Sequence, residues 1–201
     1  MAENPEDQTK TEPLFLVRSA LESDIASISA INAHYVLNTV LTFRYEPATH
    51  QQLLTDFHSI KNERLPYMVA TEKASNAVVG YCYATRFRPP KAGYRPTLEL
   101  SIFCDSQYLS QGIGSLLLTE LLRIFQQPEK YPDVCLKAKG DAVGVRSVMA
   151  CMAVDETGPG GGMALKRFYE RFGFEEVGRL KGVGYKFERW IDTVYMQLEL
   201  K

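Results

Sequence analysis

The apolar positions of this chain follow two periods, and the switches between them predict the order of its elements. Leu14-Phe-Leu-Val-Arg18 reads as a first strand. Ser23 and Asp24 then cap a helix in which Ile25, Ile28, Ile31 and Tyr35 recur at helical spacing. The stretch from Pro47 to His50 breaks the chain before a second helix carried by Leu53, Leu54, Phe57 and Ile60. Tyr67–Ala70 and Ala77–Tyr83 are strand-like runs joined by the turn formers Ser75 and Asn76. Residues 86–96 hold several prolines and arginines and predict an irregular loop.

A strand over 97–104 follows, then a glycine-bearing turn, then a Leu-rich helix from Gly112 to Phe125. Gln126 to Gly144 is polar, contains Pro128 and Pro132, and reads as an exposed insertion. Arg146–Val154 is a further strand, and Gly158–Gly162 a mobile linker into a helix over Met163–Phe172. Glu175–Leu180 and Thr193–Leu200 complete the strands, the second alternating as at a sheet edge or an interface. Helices interleave with strands and hairpins, which predicts an α/β (α+β) fold with a mixed central sheet flanked by helices. Residues 13–201 then form one domain, and the polar, Pro5-bearing residues 1–12 a disordered tail.

Composition narrows the partners. A net charge of −1 over 201 residues gives no reason to expect nucleic acid. No apolar run approaches the roughly 18 residues needed to span a bilayer, and the N-terminus lacks the apolar core of a secretory signal. Cys82, Cys104, Cys135 and Cys151 show no C-x-x-C spacing, so buried free thiols in a reducing cytoplasm are expected and a zinc or redox site is not. His34, His50 and His58 have no Cys or carboxylate at metal spacing, and no metal is expected.

The chemistry concentrates in Leu98–Leu118. An apolar strand feeds Gln111-Gly-Ile-Gly-Ser115, which opens straight into a helix. Free N–H groups at that positively polarised end suit an anion. The turn is no dinucleotide fingerprint, since Leu117 stands where a third glycine is required, and no Lys-Ser/Thr follows for a P-loop. A structural turn and an anion cradle are both compatible with it. Glu99, on the strand just before, is a candidate base. Tyr169, in Leu165-Lys-Arg-Phe-Tyr-Glu-Arg-Phe-Gly-Phe174, has the reach to protonate a leaving group, or simply packs in the core with Phe168 and Phe172.

The acidic strand, the glycine turn into a helix, and the helix closing on Tyr-Glu-x-Phe-Gly-Phe together resemble the GNAT superfamily of N-acetyltransferases. The likeness covers about residues 14–200 and is closer to the phosphinothricin and methionine-sulfoximine N-acetyltransferases. Four stretches carry it: Ile31-Asn-Ala-His-Tyr35 with Thr39 and Thr42-Phe-Arg-Tyr-Glu-Pro47; Phe87-Arg-Pro-Pro-Lys-Ala-Gly-Tyr-Arg95; Thr97-Leu-Glu99; and Gly184-Tyr-Lys-Phe-Glu-Arg-Trp-Ile-Asp192. The resemblance implies acetyl-CoA as donor, a small amino-acid-like amine as acceptor, and a homodimer. It maps a pyrophosphate cradle onto Ser110, Gln111, Gly112, Ile113, Gly114 and Ser115. It maps the strand that pairs with the pantetheine onto Ile102, Phe103 and Cys104, the family's acidic catalytic residue onto Glu99, and the general-acid tyrosine onto Tyr169.

Acetylating an amine requires a neutral nitrogen, and a free amino acid holds its proton above the α-amino value of about 7.7–8.0, so a base is needed. Glu99, partly buried, fits that role; its alternative is an ordinary ion pair with Arg88 or Arg95. A strand N–H near Ile102 or Phe103 is expected to hold the developing oxyanion. Cys104 has no histidine near it in sequence and reads as packing, which predicts direct transfer without an acyl-enzyme. Arg88 and Arg95, with Tyr94 and Phe43, are expected to take a carboxylate-bearing acceptor. Two rival readings stay open: a different amine class (polyamine, aminoglycoside, peptide N-terminus), and a weakly catalytic acyl-CoA-binding module.

Overall fold

The computed structural model describes residues 13–134, 136 and 144–200. The expected tail at 1–12, Cys135, and the part of the expected insertion at 137–143 lie outside the described residues. Eleven longer elements follow in chain order: β1 (Phe15–Ser19), α1 (Ile25–Asn38), α2 (His50–Asn62), β2 (Tyr67–Glu72), β3 (Val78–Arg86), β4 (Thr97–Cys104), α3 (Ile113–Gln126), β5 (Ser147–Ala153), α4 (Ala164–Glu170), β6 (Glu175–Lys186) and β7 (Arg189–Glu199).

The strands form one sheet in the order β1-β2-β3-β4-β5-β7-β6. Every neighbouring pair is antiparallel except β4 and β5, which run parallel because the connection between them crosses over through α3. One face carries α1 and α2: Asn32 of α1 reaches the Tyr81 hydroxyl at 3.5 Å, and Phe103 stacks on Tyr81 and meets Tyr35 edge-on. The other face carries α3, whose Leu117, Leu118 and Leu121 are fully buried and whose Leu117 carbonyl meets the Cys82 thiol. Because side chains alternate along a strand, Glu99, Ser101 and Phe103 share the first face, and Leu98, Leu100, Ile102 and Cys104 the second.

The helix starts have local causes. Thr49 caps α2 reciprocally with Gln52: the Gln52 N–H donates to the Thr49 hydroxyl at 3.2 Å, and the Thr49 N–H to the Gln52 side-chain oxygen at 2.8 Å. At the β1–α1 corner, Asp24 accepts both arms of the Arg18 guanidinium, at 2.6 and 2.8 Å, and the Leu21 N–H at 2.8 Å.

Three expectations are corrected. The described part of 126–144 is not a wholly exposed insertion: Leu136 is buried, the Tyr131 hydroxyl donates to Glu120 at 2.8 Å, and buried Arg86 donates to the Leu136 carbonyl at 3.2 Å. The terminal strands are longer than the sequence suggests and form a hairpin whose turn residues, Phe187 and Glu188, both take left-handed φ (50° and 60°). That turn normally advertises itself with Asn or Gly, so the break was invisible. Finally, the alternating strand β7 is internal; the sheet edges are β6, next to it, and β1, and Val194 and Met196 are fully buried.

Candidate active site

Strands β4 and β5 pair only from Thr97↔Ser147 to Leu100↔Ala150. Beyond that point β4 continues with β3 as far as Cys104↔Gly80, and β5 continues with β7 as far as Ala153↔Thr193, but the two strands part. The sheet therefore opens a V in its middle. The Phe87 N–H donates to Thr97 O and the Asp105 N–H to Val79 O, so the odd-numbered residues of β4 turn their backbone groups to β3. The even-numbered ones face the V. Ile102 and Cys104 thus present backbone groups to the gap, and Phe103, paired with Tyr81 of β3, does not.

Tyr35 holds the end of β4 in this position. Its hydroxyl donates to the Cys104 carbonyl at 2.8 Å, and burial raises its pKa to about 12, so it stays a donor. A cavity of about 490 Å³ fills the V and continues to the start of α3. Its walls include Ile102, Phe103, Cys104, Ser110, Gly112, Ile113, Gly114 and Ser115, which brings together every expected cradle residue except Gln111. Gly112 is the N-cap of α3 with φ +82°, a conformation that only glycine adopts freely. The first intrahelical bond made there is Leu116 N–H to Gly112 O at 3.0 Å. The N–H groups of Ile113, Gly114 and Ser115 come before it, lack an acceptor within the helix, and lie at its positive end.

Tyr169, from α4, lines the same cavity on the α3 face, packed by Phe168 and Phe174. Burial raises its pKa, so the phenol keeps its proton at any working pH. Glu99 lies on the opposite face. It is half-buried, and desolvation raises its pKa above the ordinary 4.5. Its carboxylate is within electrostatic reach of Cys151, Tyr195 and Tyr83. Cys151 lines the cavity and is within the same reach of Tyr169. The expectation of buried thiols fails here: Cys82 is buried, Cys104 partly so, and Cys151 exposed. Burial pushes the Cys104 thiol up to about 11, which keeps it protonated and a poor nucleophile.

None of the expected acceptor residues Phe43, Arg88, Tyr94 and Arg95 lines that cavity. Arg88 stands over the Phe87 ring and within electrostatic reach of Tyr195. Tyr94 packs edge-on against Phe87, and Arg95 gives its carbonyl to Arg86 at 3.0 Å. Phe43 sits over Gly184, where any side chain would collide with its ring, and the Lys186 ammonium donates to Thr42 O at 2.7 Å. Those two contacts and the Tyr45 hydroxyl on Tyr185 O (2.6 Å) clasp residues 42–45 to the terminal hairpin. Sequence reasoning missed Tyr35, Tyr83, Cys151, Tyr195 and Arg171, the last a cation on the cavity wall beside Phe168. Only Tyr35 had a signal, at the end of an Ile-Asn-Ala-His-Tyr stretch.

A parallel pair parted beside a glycine-started helix is the geometry that the comparisons with known proteins explain. Residues 17–195 match the family described as acetyltransferase (GNAT) domain. The chain belongs to the GNAT acetyltransferase family. It is 32% identical to the phosphinothricin N-acetyltransferase of Alcaligenes faecalis, over 92% of this chain and 82% of that protein. It is 29% identical to the L-methionine sulfoximine/L-methionine sulfone acetyltransferase of Pseudomonas paraeruginosa, over 92% and 94%. Among solved structures, the GNAT superfamily phosphinothricin acetyltransferase of Sinorhizobium meliloti, in complex with acetyl-CoA, superimposes with a TM-score of 0.75 at 31% identity, covering 94% of this chain and 89% of that one. The single mixed-sheet domain and the N-acetyltransferase class are those expected from the sequence.

Proposed function

We propose that this protein transfers the acetyl group of acetyl-CoA to the α-amino group of a small amino-acid-like acceptor; relatives are named as acetyltransferases of phosphinothricin and of L-methionine sulfoximine. The observation that carries this reading is the V between β4 and β5, with Glu99 on one face and the cavity holding Tyr169 on the other. The site fits the donor. Three first-turn N–H groups of α3 suit a pyrophosphate, Arg171 adds a cation, and Ile102 and Cys104 offer backbone groups to an amide-bearing arm.

An acetyl thioester supplies an activated acyl carbon and a thiolate leaving group. Glu99 takes the proton from the acceptor's ammonium, directly or through water, and its raised pKa brings its basicity closer to that task. The Ile102 N–H, rather than that of Phe103, holds the oxygen on which charge develops. Tyr169 passes its hydroxyl proton to the departing sulfur as the nitrogen's second proton, released when the amide forms, returns to the phenol through water. The protonated state of Cys104 supports direct transfer. Arg88 and Arg95, with Tyr94 and Phe43, hold the acceptor's carboxylate end.

No helix among the described residues is long and apolar enough to cross a membrane, and a cytoplasmic site of action is proposed. A homodimer is proposed as well. Val177, Leu180, Val183, Tyr185, Phe187 and Trp190 are exposed on the terminal hairpin, where the edge strand β6 still has one side unpaired. The test of function is thiol release from acetyl-CoA with a panel of amino acids, methionine sulfoximine and phosphinothricin, against polyamines and aminoglycosides. Turnover is expected on the first group; turnover confined to the second would favour the other amine class, and CoA binding without turnover the binding module.

A further inference from the structure

A second cavity, of about 300 Å³, lies on the Glu99 face of the sheet, between α2 and strands β2 and β3. Its floor is the stacked row Tyr67, Tyr81 and Tyr83, ending in Thr85. Thr85 is the cross-strand partner of Glu99, and Tyr83 that of Ser101, so these side chains stand next to one another on one face. Tyr83 and Ser101 share a side-chain hydrogen bond, and Ser101 is itself part of the wall of the first cavity. The second cavity therefore begins beside the proposed base.

Its polar groups are not equally committed. The Arg86 guanidinium is already engaged with the carbonyls of Arg95 and Leu136, at 3.0 and 3.2 Å, and with Glu63 at 3.4 Å. Asp56, on the α2 side, has one long ion pair, with Arg44 at 3.9 Å, and lies within electrostatic reach of Tyr67 and Tyr83. Among the charged groups of the wall, the exposed Asp56 carboxylate is thus the least committed; it stands beside a phenol-lined floor that Arg44 also reaches electrostatically.

We propose that this cavity houses the side chain of the amino-acid acceptor and selects one long enough to reach Asp56 and ending in a hydrogen-bond donor, such as a carboxamide, over one ending in an anion. The proposal rests on the amino-acid acetyltransferase reading above. L-glutamine and L-glutamate are near-isosteric probes that differ at the end group, and L-alanine is a probe that does not reach the cavity. The kcat/KM for each is measured by thiol release, with the N-acetyl product verified by mass.

The wild-type protein is expected to prefer glutamine to glutamate by about five- to tenfold, as a partly screened charge contact allows. Asp56→Asn should bring that ratio close to one, because the repulsion of glutamate is lost. Ser59→Trp, which puts a large side chain at the α2 wall, should lower the glutamine-to-alanine ratio about tenfold. A glutamine-to-glutamate ratio of one or below in the wild-type protein, or one that Asp56→Asn leaves untouched, overturns the pocket and leaves amino-acid acetylation standing. A glutamine-to-alanine ratio indifferent to Ser59→Trp does the same. No turnover on any of the three overturns the pocket, and none on methionine sulfoximine or phosphinothricin either overturns both.

Discussion

Asp24, at the corner between β1 and α1, and Glu99, where β4 leaves β5, are carboxylates of the same chemistry that titrate in opposite directions. Asp24 is the more buried, yet its pKa lies below the ordinary 3.8, because the Arg18 guanidinium and the Leu21 N–H outweigh its desolvation. Glu99 is only half-buried, yet its pKa is raised, with desolvation as the cause. Burial alone does not sort them. What separates them is whether the fold supplies partners for the charge, and at Glu99 it supplies a thiol and a phenol instead. A saturated carboxylate holds a corner together; an unsaturated one beside a cavity is free to exchange a proton.

The largest effect that tests this contrast is on catalysis. Glu99→Gln should lower kcat by about 10²–10⁴-fold near neutral pH, the usual contribution of a positioned base. Acetyl-CoA binding, followed by calorimetry, should hold, since Glu99 lies on the face away from the cradle. Asp24→Asn should leave kcat nearly as it was. If the two variants lost turnover equally, the contrast between a structural and a chemical carboxylate would be gone. Tyr169→Phe comes next, with an expected loss of about 10–100-fold in kcat at little change in acetyl-CoA KM. Tyr35→Phe probes the same region more gently: losing its bond to Cys104 O should loosen the mouth of the V and raise KM more than it lowers kcat.

How much of this was legible beforehand depends on whether the cause was local. The glycine turn into α3, the Tyr169 helix and the Glu99 strand each have their signal within about ten residues, in periodicity and turn chemistry. The V has no such signal. It exists because β5 returns beside β4 only after a crossover, and pairs with it for four residues. The backbone parity that turns Ile102 toward the gap and Phe103 away from it is a property of the β3 ladder, not of the residues. Cys151, Tyr195 and Tyr83 come from three strands and meet Glu99 through register alone. Leu136 was hidden for another reason: a polar, proline-marked stretch reads as exposed, whereas its carbonyl receives a buried arginine.

In stability, the smaller effects, the two carboxylates should part in sign as well as size. Asp24 has a folded-state pKa below its unfolded one, so its contribution is fully present above the unfolded value and is lost as pH falls through the folded one. Asp24→Asn breaks a two-armed guanidinium contact and should cost about 2 kcal/mol near pH 7, or roughly 4–8 °C in Tm, the deficit shrinking below about pH 4. Glu99 is the reverse case. Its folded pKa is raised, so the folded state binds more protons than the unfolded one between the two values, and stability falls as pH rises through that window. Glu99→Gln should therefore raise Tm at neutral pH, by about 1–3 °C for a chain of this length, and the gain should vanish in acid, where both states are protonated. Thermal denaturation of both variants across pH measures the two curves together. A Glu99→Gln curve that ran parallel to the Asp24→Asn curve would mean that Glu99, too, is a partnered structural carboxylate.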